Sequence, residues 1–374
     1  MIFFPGSTFG ENEMPGEGVP EVTVDILPLT ESVRATVEIK LNDISCTSTS
    51  TVWYSEEITI ATHASLAVGR ALFAAGKELL GHIPPWGILT GVRPAKLFSR
   101  IAKNKGIDFA QHYFKNYLMV SDKKIALCKE TIKGENEITE KSKPDSFSLY
   151  ISVPFCPSRC SYCSFVSHSV EHAKKLIPQY VELLCKELRI TAEYAKSNGL
   201  RLETVYMGGG TPTTLSAEQL KTVLSAVYEC FDMSTVRELT VEAGRPDTIT
   251  EEKLLVLKEM GVTRISINPQ TMNDSVLKAI GRRHTANEAK DAFLLARKLG
   301  FDNINMDLIA GLPSDTYESF NNTLSQIINL NPESVTVHAP SMKRAATLST
   351  GNILPDTNVG LDASNMVETA EKIL

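Results

Sequence analysis

The sequence has little excess charge, no long apolar run and few cysteines. The formal net charge is −6 at pH 7 over 374 residues, and this acidic balance argues against a protein that binds nucleic acid through a general basic surface. No run of about 18 uncharged apolar residues occurs, which argues against a membrane-spanning helix. Residues 1–16 lack a basic flank and a sustained apolar segment, so they do not indicate a secretory signal.

The cysteine content also excludes a disulfide-rich secreted fold. The seven cysteines are odd in number and unevenly spaced, whereas disulfide frameworks usually show an even number at regular spacing. A reducing, cytoplasmic environment fits this pattern best. Hydrophobic residues make up 43% and charged residues 22% of the chain, as in ordinary globular proteins, and the length predicts about two domains.

The first region of the chain mixes strand and helix patterns. Within residues 1–132, two strand-like stretches precede a helical pattern from Ala64 to Leu80, which predicts a smaller α/β domain of the α+β type. Residues 133–146 are polar, charged and almost without apolar periodicity. We interpret them as a linker between domains.

The second region, residues 147–345, repeats one pattern six times. Short strand-like runs alternate with helical segments, which predicts parallel β/α units. Six units are too few for a closed eight-stranded barrel, so we expect a partial, TIM-like (β/α)6 barrel. Residues 346–374 read as the start of a C-terminal helical region that is cut short. Capping-box pairs at Ser216 and Thr285 predict two of the helix starts.

A cluster of three cysteines carries the most specific signal. Cys156, Cys160 and Cys163 follow directly after a predicted strand. Thiolates favour zinc or iron–sulfur clusters, and structural zinc normally takes four protein ligands. His168 or His172 could complete a zinc site, but no second pair of closely spaced cysteines exists. Three cysteines on a 4Fe-4S cluster would leave one iron open to chelate the amino and carboxylate groups of a small molecule.

Other candidate residues lie near the ends of the later strands. Gly208, Gly209 and Gly210 would let the backbone approach a ligand and expose N–H groups, although such a triplet alone is often only a tight turn. Further candidates are Glu242, Gln270, Arg282 and Asp307, which could instead be buried polar groups paired inside the sheet or, for Arg282, a surface cation. We expect His284 and His338 to be ordinary polar residues and Cys185 to lie in the core.

The cysteine spacing after a strand resembles that of radical S-adenosylmethionine enzymes. The resemblance implies that Cys156, Cys160 and Cys163 hold a 4Fe-4S cluster, whose electron cleaves S-adenosyl-L-methionine to give a 5′-deoxyadenosyl radical. It also implies a set of contacts to S-adenosylmethionine, with the glycine loop placed for the methionine amino group: Tyr150, Tyr162, Gly209, Gly210, Thr211, Glu242, Gln270, Arg282 and Asp307.

Longer stretches narrow the resemblance. "WGILTGVRPAKL", "VEAGRPDTITEEKL", "IGRRHT" and "VHAPSMKRA" are similar to the HemZ group of HemN-like, oxygen-independent coproporphyrinogen III oxidases (dehydrogenases). This implies an oxidoreductase of haem (porphyrin) biosynthesis that decarboxylates two propionates of a porphyrinogen to vinyls. Two S-adenosylmethionine molecules would be consumed, and a low-potential donor such as flavodoxin or ferredoxin would supply electrons.

The position of Phe165 leaves other interpretations open. In the best-understood branch a further cysteine stands two residues after the triad, where this chain has Phe165. One alternative is a haem-binding chaperone or carrier of the same superfamily. Another is a radical enzyme with an unrelated substrate, whose first domain binds RNA or a partner protein.

Overall fold

The computed structural model describes residues 19–56, 62–91, 93–165, 167–339 and 357–374. The chain divides into two compact units, Met1–Lys141 and Ser142–Leu374. The division falls inside the stretch that the sequence marks as a linker. No helix within the described ranges is long and apolar enough to cross a membrane.

The first unit is built on an antiparallel sheet. Within the described residues the sheet has three strands in the order β1–β2–β3, namely β1 (Glu21–Pro28), β2 (Ser32–Leu41) and β3 (Ile44–Trp53). Helix α1 (His63–Leu80) packs on it, with Val37 and Ile39 of β2 against Ala71 and Ala75 of the helix. This confirms the α+β character of the first region and the predicted long helix.

Among the residues described in the first unit, three further helices follow α1. They are α2 (Pro94–Lys105), α3 (Ile107–His112), which continues into a π-helical turn (Tyr113–Tyr117), and α4 (Asp122–Thr139). The interpretation of residues 133–146 as a linker needs correction, because α4 continues to Thr139. Ile125 and Cys128 anchor the start of this helix in the core, and once a helix is nucleated it can propagate through polar residues.

The second unit is an α/β structure with a parallel sheet. Within the described residues six strands pair in the order β11–β10–β9–β8–β7–β4, all parallel. They are β4 (Ser146–Val153), β7 (Arg201–Gly209), β8 (Glu238–Gly244), β9 (Arg264–Gln270), β10 (Ile304–Ile309) and β11 (Ser334–His338). All six predicted strands are therefore present, and the open α/β sheet confirms the predicted fold class. A separate short pair, β5 (Phe155–Cys156) and β6 (His168–Ser169), closes the loop after β4.

Helices connect and cover the strands of the second unit. They are α5 (Val170–Ala173), α6 (Ile177–Ser197), α7 (Ala217–Cys230), α8 (Glu251–Glu259), α9 (Asp274–Ala279), α10 (Ala286–Lys298), α11 (Tyr317–Leu330) and α12 (Thr357–Ile373). Both predicted capping boxes are present, Ser216 with Gln219 and Thr285 with Glu288. Cys185 is buried in the core, as expected.

The last helix belongs to the core of the second unit. Met366 and Ala370 of α12 are buried in its hydrophobic cluster, which confirms the helical pattern near the end of the sequence. Residues 340–356 lie outside the described residues, so most of the "VHAPSMKRA" stretch cannot be placed. The other stretches that carry the resemblance are described apart from Val92.

Candidate functional site

The cysteine loop lies at the carboxyl end of β4, between β5 and β6. Cys156 ends β5, Cys160 is buried with 7% of its surface exposed, and the N–H of Cys163 donates to the carbonyl of Cys160 at 3.1 Å. Burial raises the pKa of the Cys163 thiol, and nearby Cys160 and Cys156 raise it further. Cys163 therefore lies close enough to the other two cysteines for them to affect its thiol.

Contacts from a distant part of the sequence hold this loop in place. The N–H of Ser161 donates to the carbonyl of Ile280 at 3.1 Å, and the Ser158 hydroxyl donates to the carbonyl of Gly281 at 2.8 Å. Both acceptors belong to the turn after α9. The loop is thus attached to the segment that follows β9, two strands beyond its neighbour β7 in the sheet, and not only to its own strand.

The glycine loop at the end of β7 packs directly against the cysteine loop. Its backbone N–H groups at Gly210 and Thr211 donate to the carbonyls of Val153 and Phe155, both at 2.7 Å. A Cβ atom on Gly210 would lie 2.6 Å from the Phe155 carbonyl oxygen. The expectation that Gly208, Gly209 and Gly210 expose their N–H groups is therefore wrong for Gly210, because the protein itself uses this donor, as it also uses the N–H of Thr211.

Thr211 connects the two loops through its side chain. Its hydroxyl donates to the Cys156 sulfur at 3.6 Å, an acceptable distance for a hydrogen bond to sulfur. Thr211 is buried. The structure therefore brings Gly210 and Thr211 against the start of the cysteine loop and Gly209 against the end of β4.

Polar side chains line one face of the sheet near its carboxyl edge. The Tyr206 hydroxyl on β7 donates to the Glu242 carboxylate on β8, and the rings of Tyr206 and Tyr150 stack with centroids 5.8 Å apart. Burial raises the pKa of Glu242, and Asp307 raises it further while the Tyr206 hydrogen bond opposes the shift. Tyr150 is 57% exposed, so its outer surface is free for contact.

The next two strands continue this polar face. Asn305 on β10 donates to Asp307 at 2.7 Å and to Ser266 on β9 at 3.1 Å. Gln270, at the end of β9, is 6% exposed and has the left-handed backbone angle φ of 70°, which is uncommon outside glycine. Among the described residues its Oε1 atom has no hydrogen-bond partner, and neither does Oδ1 of Asn268. Buried acceptors usually have a hydrogen-bond partner from the protein or an ordered water.

The buried Arg282 and the partly buried Tyr162 form a pair beside the cysteines. The guanidinium of Arg282 donates to the Tyr162 hydroxyl at 2.9 Å and to the carbonyl of Asn268 at 2.5 Å. Burial lowers the pKa of the guanidinium, but Tyr162 and Cys160 raise it overall. The alternative of a surface cation is wrong for Arg282, which is 9% exposed, whereas its neighbour Arg283 is exposed and pairs with Glu171.

These residues fit a 4Fe-4S cluster and S-adenosylmethionine. The site offers three soft thiol ligands, unpartnered buried acceptors at Gln270 and Asn268, and several polar groups around them. In the described part of the chain, however, no three Cys, His, Asp or Glu side chains are arranged as a preformed metal site.

The sequence reasoning missed three residues of the site. Tyr206 could have been found from strand alternation, because Val205 and Met207 on either side of it are buried on the other face. Asn305 could have been found in the same way from Asp307, which lies two residues further along β10. Arg245, directly after β8, contacts Cys160, and its position at a strand end was the available signal.

The site can now be compared with known proteins. The model of the Radical SAM superfamily matches residues 150–327. The HemZ protein of Bacillus subtilis, described as an oxygen-independent coproporphyrinogen-III oxidase-like protein, is 40% identical over 268 residues, covering 71% of this chain and 54% of HemZ. The haem chaperone HemW of Bacillus subtilis is 37% identical over 193 residues, covering 51% of this chain and 50% of HemW.

A solved structure agrees with these matches. The coproporphyrinogen III oxidase HemN of Escherichia coli, described as a Radical SAM enzyme, has a TM-score of 0.55 and 26% identity, covering 64% of this chain and 55% of that chain. The chain spans about half the length of the curated relatives that it matches. The parallel strands and the cysteine loop of this chain agree with these similarities. The chain therefore contains a domain of the Radical SAM superfamily, at residues 150–327.

Proposed function

We propose that this chain is part of an oxygen-independent coproporphyrinogen III dehydrogenase. The observation that carries the proposal is the extent of the similarity to HemZ. A match over 268 residues is longer than the whole second unit, Ser142–Leu374, so it must include part of the first unit. The match to HemW covers 193 residues and does not require the first unit.

The site residues divide into those that hold the cluster and those that bind the cosubstrate. Cys156, Cys160 and Cys163 would hold a 4Fe-4S cluster, which supplies the electron for reductive cleavage of S-adenosylmethionine. Glu242, Gln270 and Asp307 provide acceptors for the amino and hydroxyl groups of S-adenosylmethionine. The close packing at Gly209 and Gly210 keeps this end of β7 against the cysteine loop, so both parts of the site keep a fixed spacing.

The reaction removes one carboxylate in two balanced steps. A 4Fe-4S cluster and S-adenosylmethionine bound at these residues would supply the radical chemistry that takes one hydrogen atom from the β-carbon of a propionate side chain, with 5′-deoxyadenosine as the product. The bond to the carboxylate then breaks, carbon dioxide leaves, a vinyl group forms, and one electron passes to an acceptor. Two such rounds on two propionates consume two molecules of S-adenosylmethionine.

A haem chaperone is the second candidate, and two observations favour it. Phe165 stands where the best-understood branch has a further cysteine, and it is 65% exposed in the cysteine loop. The HemW proteins are also among the relatives of this chain. In this case the chain would bind haem tightly and would release no carbon dioxide from coproporphyrinogen III.

One anaerobic experiment separates the two candidates. The full-length protein is reconstituted with iron and sulfide, and then incubated with coproporphyrinogen III, S-adenosylmethionine, a low-potential reductant and a one-electron acceptor. Protoporphyrinogen IX, carbon dioxide and 5′-deoxyadenosine are expected in the ratio 1:2:2, and the Cys160→Ala variant should give none. Tight binding of haem without release of carbon dioxide would refute the dehydrogenase proposal and support the haem chaperone.

A further inference from the structure

A buried arginine lies against the cysteine loop and has no part in the functions assigned above. Arg245 follows β8 directly and is only 4% exposed. A guanidinium that is taken out of water needs partners for its N–H groups and its charge. The partners that Arg245 finds belong to the cysteine loop and to one carboxylate.

Three contacts join Arg245 to the cysteine loop. Its Nη1 atom lies 3.5 Å from the sulfur of Cys160 and 3.3 Å from the carbonyl oxygen of Ser158, and its Nη2 atom lies 3.1 Å from the Ser158 hydroxyl. Cys160 itself is buried. Positive charge is therefore held next to the sulfur of a residue that the site uses as an iron ligand.

Asp247 holds the guanidinium from its other edge. Its two carboxylate oxygens accept from Nε at 3.2 Å and from Nη2 at 3.3 Å. This two-point contact fixes the plane of the guanidinium and directs Nη1 at the Cys160 sulfur. A lysine at this position could supply a charge, but it could not make the same two-point contact.

The charge has a direct consequence for an iron–sulfur cluster on this loop. Reduction makes the cluster more negative, so a nearby cation stabilises the reduced form and raises the reduction potential. Hydrogen bonds to the ligand sulfur act in the same direction. Asp247 has the opposite sign and offsets part of the effect.

We propose that Arg245 is a positioning residue for the cluster and that it fixes the cysteine loop. Its positive charge, partly offset by Asp247, makes the cluster easier to reduce. The proposal rests on the cluster binding proposed above, but it does not depend on which substrate the protein uses. A purely structural clamp would affect how well the loop holds iron. Loss of such a clamp would not shift the reduction potential in opposite directions when the charge of Arg245 and the charge of Asp247 are removed in turn.

The test compares a variant that loses a positive charge with one that loses a negative charge, both in the full-length, anaerobically reconstituted protein. The midpoint potential is measured by titration with titanium(III) citrate, followed by electron paramagnetic resonance. Arg245→Met should shift the midpoint to more negative values, Asp247→Asn should shift it to more positive values, and Arg245→Lys should stay nearer to the wild type than Arg245→Met does. Iron retention in Arg245→Met should fall about tenfold, as is typical when a supporting residue around a metal site is lost.

A further variant separates the hydrogen bonds from the charge. Ser158→Ala removes the hydroxyl that contacts both Arg245 and the carbonyl of Gly281, and it leaves the charge of Arg245 in place, so iron retention should fall while the midpoint stays close to that of the wild type. Circular dichroism of each apoprotein checks folding, and if Arg245→Met does not fold, the positive shift in Asp247→Asn carries the test.

Unchanged midpoints in the folded Arg245 and Asp247 variants, or shifts of the same sign in both, would overturn the proposal. A wild-type protein that retains no cluster would overturn it as well. A cluster that responds as expected in a protein that leaves coproporphyrinogen III unchanged would refute the proposed substrate alone.

Discussion

The hydroxyl of Tyr206 donates a hydrogen bond to the carboxylate of Glu242, across the pair of strands β7 and β8. Tyr206 in turn stacks on Tyr150 of β4. Three neighbouring strands therefore contribute to the environment of one carboxylate. Burial, the largest effect, and the charge of Asp307 raise the pKa of Glu242, while the hydrogen bond from Tyr206 favours the ionised form and opposes the shift.

Replacing Glu242 with glutamine should stabilise the apoprotein at neutral pH and weaken its binding of S-adenosylmethionine. Burial raises the pKa of Glu242. Between the ordinary pKa of a glutamate and this raised pKa, the folded state therefore holds more protons than the unfolded state. The stability of the wild-type protein falls as the pH rises through this range. Urea unfolding between pH 4 and pH 8 should show a smaller fall for the variant. Calorimetry should show about tenfold weaker binding of S-adenosylmethionine, because a charged acceptor is lost.

Tyr206→Phe provides the matched control for Glu242. It removes the hydrogen bond and keeps most of the ring that stacks on Tyr150, so the pKa of Glu242 should rise further. The decrease in stability with pH should therefore extend to higher pH than in the wild type. If Tyr206→Phe and the wild type have the same pH profile, the hydrogen bond has no electrostatic role.

His284 should make the protein less stable in mild acid. Its ring is buried, with 2% of the residue exposed, and burial followed by the charge of Arg282 lowers its pKa to about 4. Between pH 6.5 and pH 4 the unfolded chain takes up a proton that the folded protein does not, so stability falls as the pH falls. The loss should be about 3 kcal/mol over this window, and His284→Leu should lack this component. Denaturant titrations at a series of pH values measure the difference between the two proteins.

Two cysteines of similar burial should respond differently to replacement. Cys160→Ala should abolish cluster assembly and the formation of 5′-deoxyadenosine. Cys185→Ala, in the core of the same unit, should cost about 1 kcal/mol of stability and leave the cluster intact. Iron analysis and thermal unfolding of both variants check this, and an equal loss of iron in the two would contradict the assigned ligands.

The glycine loop should not accept a methyl group. In Gly210→Ala the added Cβ would lie 2.6 Å from the Phe155 carbonyl oxygen and 2.7 Å from that of Val153, so β4 and β7 must move apart. We expect about 2 kcal/mol of destabilisation and lower iron retention. Gly134→Ala is the control, because it lies in α4 with nothing within 4 Å of the new Cβ, and it should stabilise the first unit by about 0.5–1 kcal/mol. Thermal unfolding and iron content are measured for both.

Much of the fold could be predicted because local signals and tertiary packing agree. Strand alternation, capping boxes and apolar helix faces all marked the second unit, and Leu220, Val223 and Leu224 are fully buried as their spacing predicts. Strand β3 was missed because its serines and threonines carry little hydrophobic contrast. The end of α4 was missed because a polar helix that is anchored only at its start shows no apolar period.

The site could be predicted less completely. The cysteine spacing and the strand-end positions located it, because parallel strands bring their carboxyl ends to one edge. The network around it was beyond sequence reasoning, since the partners are distant in the chain: Tyr162 contacts Arg282, and Cys160 contacts Arg245. The use of the Gly210 and Thr211 N–H groups by the protein itself also depends on how closely two strands approach.

The attachment of the cysteine loop to Ile280 and Gly281 also bears on the order of events during synthesis. A nascent chain that has emerged from the ribosome only as far as β7 contains all three cysteines, but it lacks Arg245 and the turn that hold their loop. We therefore expect cluster insertion to wait until translation has passed Arg282. Ribosome-stalled fragments that end before this point should fail to retain iron, even though they carry the complete ligand set.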